Sequence, residues 1–246
     1  MSLWSTSWQL ARKELSGNVS GWVISVIFTL YTAFMLMVLA RQINESIFNQ
    51  EYVPFHNFGL NLFVLAMAPN CSFLFGGRYL NFHKNDSFTR HLRVMKALPI
   101  SNKQLVVSRM MQLVVTAIIM NTLLFIMLFV WNEHDPLSLQ LNAVNFIQLA
   151  LSWCFCSITL GSAYVYWEMG YNGKVYLISG LWFCAVILLI SAAAVFVLPQ
   201  SFLKLLADSV QAYGWWIPLI GLAAAAVVIL ISARTTERRI AARDLF

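Results

Sequence analysis

Six long apolar stretches constrain the fold of this chain more than any other feature of its sequence. Each has roughly 20 residues or more, the length at which an α-helix crosses the hydrocarbon core of a bilayer. Backbone groups in hydrocarbon must be hydrogen-bonded internally, so these segments are predicted to be helices. We therefore predict an all-α membrane protein with one transmembrane domain over residues 1–246, whose spans are 20–40, 58–78, 105–131, 143–166, 175–198 and 214–233.

The composition supports this class of protein. Hydrophobic residues make up 60% of the chain and charged residues only 11%. A soluble globular protein of this size needs more polar groups than that to cover its surface.

The positions of the basic residues predict the orientation, because Lys and Arg near span ends are retained on the cytoplasmic side. With both termini cytoplasmic, only Arg41 and Lys204 of the 16 basic residues lie outside. We expect a multi-pass protein of a cell membrane, with membrane lipid as a partner. The net charge of +6 then reflects topology and attraction to the inner leaflet, and we expect no nucleic-acid partner.

Two short amphipathic helices are predicted outside the spans. Before the first span, Trp4, Trp8, Ala11 and Leu15 recur at helical spacing, which is typical of an interfacial helix in the inner headgroup layer. Before the sixth span, a similar outer segment, amphipathic or re-entrant, is predicted from the spacing of Phe202, Leu206, Val210 and Tyr213.

The connector between spans 2 and 3 concentrates charge that the spans exclude. Asn85 or Asp86 can cap a short cytoplasmic helix with Phe88, Leu92 and Met95 on one face and Arg90 and Arg93 elsewhere. Pro99 disfavours helical geometry at Leu98, so this helix should end there. The next helix should begin at once, because Ser101 and Gln104 form a capping box and Ile100 and Leu105 occupy the positions of a hydrophobic staple.

The polar residues within the spans are hydroxyls and amides, without a carboxylate at depth, which argues against a proton- or sodium-coupled carrier. Pro69 should bend the second span. Candidate residues of a translocation path are Asn61, Asn70, Asn121 and Trp182. Interhelical hydrogen bonding and packing are the alternative roles of these four residues.

No catalytic, cofactor or metal site is predicted on this chain. The four cysteines fall inside predicted spans, where burial in apolar surroundings suppresses thiolate formation. An intramembrane enzyme would need a charged, serine-based or metal-ligand constellation within the bilayer, and the spans offer none. We predict a protein that is not an enzyme.

Residues 97–109, with the sequence Ala-Leu-Pro-Ile-Ser-Asn-Lys-Gln-Leu-Val-Val-Ser-Arg, resemble a segment of the type-2 permeases of ABC transporters, found mainly in bacteria. Residues 11–15, Ala-Arg-Lys-Glu-Leu, are similar to the interfacial helix of that family. The six-span layout extends the resemblance over nearly the whole chain. Residues 81–86 depart from the family, because many relatives carry a Glu- and Arg-rich start to this connector.

The resemblance implies a permease subunit that exports an amphipathic substrate such as a lipid, peptide, drug or polysaccharide. ATP and Mg would bind a separate cytosolic ATPase, and this chain indeed contains no phosphate-binding loop sequence. A second copy or a sister permease would complete the dimer. The residues expected to couple to the ATPase are Phe88, Arg90, Leu92, Arg93, Met95, Leu98, Pro99 and Ser101. The alternative that the sequence leaves open is a stand-alone six-span channel or secondary carrier.

Overall fold

A computed structural model describes residues 3–48, 54–75, 86–134, 141–198 and 200–243, with only the backbone for residues 43–48 and 54–56. These residues form helices joined by short turns, and no strand occurs among them. The helices are α1 Leu3–Gly17, α2 Val19–Phe48, α3 Pro54–Asn70, α4 Ser87–Lys96, α5 Asn102–His134, α6 Ala143–Gly170, α7 Gly173–Val197, α8 Phe202–Tyr213 and α9 Trp216–Ala241.

Five helices of the described chain are long and apolar enough to cross a membrane. They are Val19–Gln42 within α2, Asn102–His134, Ala143–Gly170, Gly173–Val197 and Trp216–Ala241. Each overlaps one of the predicted spans, and the helices of the described residues are compatible with the predicted all-α membrane class. Large apolar side chains remain exposed along these helices, among them Leu181, Leu189 and Phe196 of α7, as expected for surfaces that face lipid.

The second predicted span, 58–78, is wrong as one continuous helix. Helix α3 has 17 residues and ends at Asn70, one residue after Pro69. Proline both lacks an N–H and crowds the preceding turn, so here it helps to end the helix rather than only bend it. Residues 71–75 follow without helical structure, and residues 76–78 of the predicted span lie outside the described residues.

The non-helical segment 71–75 is buried in the bundle, where neighbouring helices satisfy its polar groups. The N–H of Phe75 donates to Oγ of Ser25 at 2.9 Å, and Oγ of Ser72 donates to the carbonyl of Ser157 at 2.7 Å. A side chain at Gly161 would prevent this close approach, because its Cβ would lie 2.8 Å from Cβ of Ser72. Irregular backbone within a membrane protein is tolerated where protein groups bind it in this way.

Two apolar clusters fill the bundle, one toward each end. The first joins α2, α3, α5, α6 and α8 through side chains such as Leu60, Leu124 and Leu203. The second joins α4, α5, α6 and α9 through side chains such as Leu92, Leu113 and Ile240. Helix α4, which forms much of the predicted connector, is thus part of the packed body of the protein.

The amphipathic segment predicted before the sixth span forms a helix, α8, but its buried face differs from the predicted one. Leu203, Ala207 and Val210 are its buried residues, whereas Tyr213 is 65% exposed. The predicted face, which begins at Phe202, is therefore shifted by one residue for most of the helix. The amide oxygen of Asn61 accepts from the N–H of Phe202 at 2.7 Å and fixes where α8 begins.

The predicted capping box at the start of α5 is present. Oε1 of Gln104 accepts from the N–H of Ser101 at 2.9 Å, and Oγ of Ser101 accepts from the N–H of Gln104 at 3.2 Å. Ile100 and Leu105, the predicted staple, both belong to the second apolar cluster. The connector therefore passes directly into a long helix with a defined first turn.

We expect Ser101→Ala to lower the free energy of unfolding by about 1 kcal/mol, because it removes the hydroxyl that caps the first turn of α5. Thermal unfolding of the detergent-solubilised chain, followed by circular dichroism, measures this effect. Ser209→Ala is the control, since Ser209 lies inside α8 and bonds only to the preceding turn. Equal stability of the two variants would contradict a role for the cap.

Candidate functional site at the connector

Helix α4 is amphipathic, and its apolar face packs against the rest of the chain. Phe88 and Leu92 are each only 4% exposed, and the ring of Phe88 meets Tyr176 edge-on with centroids 4.9 Å apart. Met95 packs partly buried on the same cluster. Phe88 and Leu92 thus pack against other side chains of this chain, whereas they are predicted from the sequence to insert into a groove of a partner.

The exposed side of α4 carries a different set of residues. Arg90 and Arg93 are exposed, Val94 is 60% exposed and Leu98 is 47% exposed. Pro99 and Ser101 follow them on the surface. Two basic side chains, followed by apolar ones, therefore lie along one exposed surface. We call this surface the α4 ridge; it comprises residues 90, 93, 94, 97, 98 and 99.

The N-terminus of α4 is fixed by Asp86, but not through the predicted cap. Asp86 is the N-cap residue and adopts a left-handed backbone with φ of 42°, yet its side chain makes no bond to α4. Its Oδ1 instead accepts from the N–H of Gly173 at 2.8 Å. Asp86 thereby ties the start of α4 to the start of α7, and the alternative cap Asn85 lies outside the described residues.

The other end of α4 is bonded to the end of α9. Nζ of Lys96 donates to the carbonyl of Ile240 at 2.9 Å. Arg243 donates to the hydroxyl of Thr89 and to the carbonyl of Met169 at 3.3 Å. Burial lowers the pKa of Arg243, and Asp86 opposes that shift. Helix α4 is therefore fastened along its length to α6, α7 and α9.

A chain of partly or fully buried polar side chains joins α4 to α1, α5 and α6. Oε1 of Glu14 lies 3.0 Å from Nε2 of His91, and Oε2 of Glu14 accepts from Nε2 of Gln112 at 2.9 Å. Oε1 of Gln112 accepts from Nη1 of Arg109 at 2.8 Å. Arg109 then reaches Glu168 with Nη2 at 2.7 Å and Nε at 3.2 Å. We call His91, Glu14, Gln112, Arg109 and Glu168 the connector network.

The Arg109–Glu168 ion pair is largely buried. The two side chains are 15% and 8% exposed. Both guanidinium contacts go to Oε2 of Glu168, and charge-assisted bonds of this kind are strong because little water competes with them. The pair joins the first turns of α5 to the last turn of α6, so a displacement of the connector acts on two long helices at once.

The predicted interfacial helix is confirmed as a helix, α1, and it has two distinct sides. Trp4 and Trp8 are 65% and 45% exposed. Ala11, predicted to share their face, is fully buried, and Oγ of Ser7 donates to the carbonyl of Gln104 at 3.2 Å. Helix α1 therefore lies against α5, with its tryptophans directed away from the bundle.

The four candidate residues of a translocation path do not form one site. Asn61 bonds to the start of α8, and Nδ2 of Asn70 donates to the carbonyl of Ala66 within its own helix. Oδ1 of Asn121 lies 3.4 Å from Oγ of Ser157. Trp182 is 70% exposed on the outer surface of α7. The first three residues have structural hydrogen bonds, as the alternative interpretation of these amides supposed.

Asn121 also borders an apolar groove of about 790 Å³ between α5, α6 and α9. Phe125, Phe129 and Phe155 form much of its wall. Among the described residues no group of three or more His, Cys, Asp or Glu side chains is arranged to hold a metal ion.

The connector network was missed by the sequence reasoning. Glu168 lies two residues beyond the predicted fourth span, outside the depth at which a carboxylate marks an ion or proton pathway. The sequence nevertheless contains a signal for this ion pair, because Arg109 and Glu168 lie near the predicted cytoplasmic ends of two spans that run in opposite directions. Opposite charges at the same depth on such neighbouring spans are expected to pair, because an unpaired charge there is costly.

Comparisons of the chain with protein-family models, with curated proteins and with solved structures found no match.

Proposed function

We propose that this chain is the membrane-spanning permease subunit of an ABC exporter of a bacterial cell membrane. It works with a second copy or a sister permease, and a separate cytosolic ATPase supplies the energy from ATP and Mg. The observation that carries the proposal is the connector itself. A short helix with an open basic and apolar ridge is fastened to the ends of α1, α6, α7 and α9, and the chain passes from it through a capped turn into α5.

The arrangement of the helix ends supports the predicted topology. Residues of the connector network and of the α4 contacts come from the end of α1, the start of α5, the end of α6, the start of α7 and the end of α9. The positive-inside rule assigns all of these ends to the cytoplasm. Both termini and the connector then face the same compartment as the ATPase.

A sixth crossing by α3 is part of the proposal. At 1.5 Å per residue α3 is about 25 Å long, and the five non-helical residues after it can extend the path by up to roughly 17 Å. Together they are long enough to cross a hydrocarbon core of about 30 Å. The segment is shielded from lipid by α2 and α6, which supply its hydrogen-bond partners.

Transmission of force follows from the rigidity of the connector. An ATPase that binds the α4 ridge displaces a helix whose opposite face is buried and hydrogen-bonded to the spans. Apolar anchors supply most of the affinity at such interfaces, while charges at the rim steer the encounter. The anchors in this proposal are Val94 and Leu98, with Arg90 and Arg93 meeting acidic groups, and they replace the buried Phe88 and Leu92.

A photo-crosslinking amino acid tests this surface. Placed at Leu98 in cells of the native host, it should capture a cytosolic protein with a phosphate-binding loop, identified by mass spectrometry. Placed at Val144, which is 54% exposed at the opposite end of the bundle, it should not. A complex purified with that ATPase should hydrolyse ATP and move an amphipathic substrate in proteoliposomes.

The double substitution Arg90→Glu and Arg93→Glu should reduce recovery of the ATPase by at least about tenfold, because two charges on the ridge change sign. The matched control is Arg234→Glu with Arg238→Glu, since both arginines are exposed near the end of α9 and neither belongs to the α4 ridge. Substrate flux through the purified chain alone, without ATP, would favour the channel or carrier instead.

A further inference from the structure

A cleft of about 480 Å³ opens beside the connector network, between α1, the residues after α3 and the start of α5. This volume is in the range of small-molecule sites, about 300–1,000 Å³. One part of its wall is apolar and includes Leu15, Leu74 and Leu98. The other part carries Lys13, Glu14, Arg109 and Glu168, two charges of each sign.

A much smaller cavity of about 40 Å³ adjoins this cleft, with Glu14, Arg109, Gln112 and Glu168 lining both. The hydroxyl of Ser108 faces the small cavity, is 1% exposed, and has no hydrogen-bond partner among the described residues. A buried hydroxyl without a partner costs about 1–3 kcal/mol. A polar group from a ligand in the cleft would relieve that cost.

We propose that the cleft binds a phospholipid of the inner leaflet whose headgroup carries a primary ammonium, as in phosphatidylethanolamine. Its phosphate lies near Lys13 and its acyl chains run along Leu15 and Leu74. Its ammonium enters the small cavity toward Ser108, Glu14 and Glu168. The proposal requires only that the chain lies in a bilayer, and it does not depend on coupling to an ATPase.

Hydrogen bonding and charge select this headgroup. The small cavity of about 40 Å³ admits water-sized groups, and a trimethylammonium that reaches it has no N–H to donate to Ser108. A primary ammonium also approaches a carboxylate closely and can donate up to three hydrogen bonds. A purely anionic headgroup would satisfy Lys13 but would meet Glu14 and Glu168 with like charge.

The position of the cleft agrees with access from lipid. The cleft is lined in part by α1, whose exposed tryptophans mark the headgroup layer in the proposed topology. A lipid bound there would fix α1 against α5 and the connector network, so the inner leaflet would contribute to the rigidity of the connector.

The test uses the purified, delipidated full chain and three lipids with identical acyl chains, and it measures their binding by native mass spectrometry. Phosphatidylethanolamine should bind at least about tenfold more tightly than phosphatidylcholine or phosphatidylglycerol. Equal binding of ethanolamine and choline lipids would overturn the proposal. Preferential binding of phosphatidylglycerol would also overturn it, since the lipid would then be held by its negative charge alone.

Two pairs of variants locate the bound lipid. Gly17→Leu should weaken binding roughly tenfold by filling the cleft, because Gly17 lines it and a Cβ there meets nothing within 4 Å. Gly180→Leu is its control on α7, with equally open space but outside the cleft. Lys13→Gln should weaken binding roughly fivefold, while Lys103→Gln, exposed on α5, should not change it.

Ser108→Ala provides a second test of the ammonium site if Gly17→Leu does not fold. Removal of a buried hydroxyl without a partner leaves the packing of α5 intact, so the thermal unfolding temperature should not fall. The affinity for phosphatidylethanolamine should decrease roughly threefold, and the affinity for phosphatidylcholine should stay the same. An unchanged preference between the two lipids would contradict the ammonium site.

Discussion

Replacing Glu168 with Ala should lower the free energy of unfolding by about 3–5 kcal/mol, because Arg109 then stays buried without its partner. The two side chains are only 15% and 8% exposed, so water from the neighbouring cleft offsets only part of the lost interaction. Gln112 still accepts one bond from the guanidinium. A neutral amide oxygen does not offset the loss of a negative charge, and the start of α5 should separate from the end of α6.

Chemical unfolding in mixed micelles measures this loss. The matched control is Glu237→Ala, which removes a carboxylate near the end of α9 outside the connector network. The double variant Arg109→Met with Glu168→Leu should regain most of the stability, since apolar residues of similar volume often replace a buried ion pair at little cost. A single Glu168→Ala variant as stable as the parent would refute the importance of the pair.

The same double variant separates stability from the proposed function. It should be folded and should still recruit the ATPase, because the α4 ridge is unchanged. If the Arg109–Glu168 pair carries the motion of the connector into α5 and α6, less substrate should be transported for each ATP hydrolysed. An unchanged ratio of transport to hydrolysis would show that the pair serves folding alone.

Local sequence patterns predicted those parts of the fold that depend on local physics. Five long apolar helices follow from uninterrupted apolar length, and the start of α5 follows from the side chains of Ser101 and Gln104, which lie three residues apart. The existence of α1, α4 and α8 follows from helical periodicity. In each case the forces that decide the structure act within a few residues of one another.

The parts that could not be predicted depend on contacts between distant residues. Periodicity shows that α4 has an apolar face but does not say whether Tyr176 or a partner covers it. Asp86 has the chemistry of a cap, yet its carboxylate bonds to Gly173, 87 residues away in sequence. The end of α3 at Asn70 also depends on Ser25 and Ser157, which bind the segment after it.

Phe88→Ala should destabilise the isolated chain by about 3–5 kcal/mol, as truncation of a buried aromatic side chain usually does. The matched variant on the same helix is Val94→Ala, which removes an exposed side chain and should change stability by less than about 0.5 kcal/mol. Measured with the proposed ATPase partner, the order should reverse: Val94→Ala should weaken binding although the chain is fully folded. Phe88→Ala should affect binding only through the loss of folded α4.

Thermal unfolding of the chain alone measures its stability, and titration of the ATPase then measures the affinity of each variant. If Phe88→Ala left the isolated chain as stable as the parent and abolished ATPase binding, Phe88 would be an interface anchor and α4 would have to turn outward in the complex.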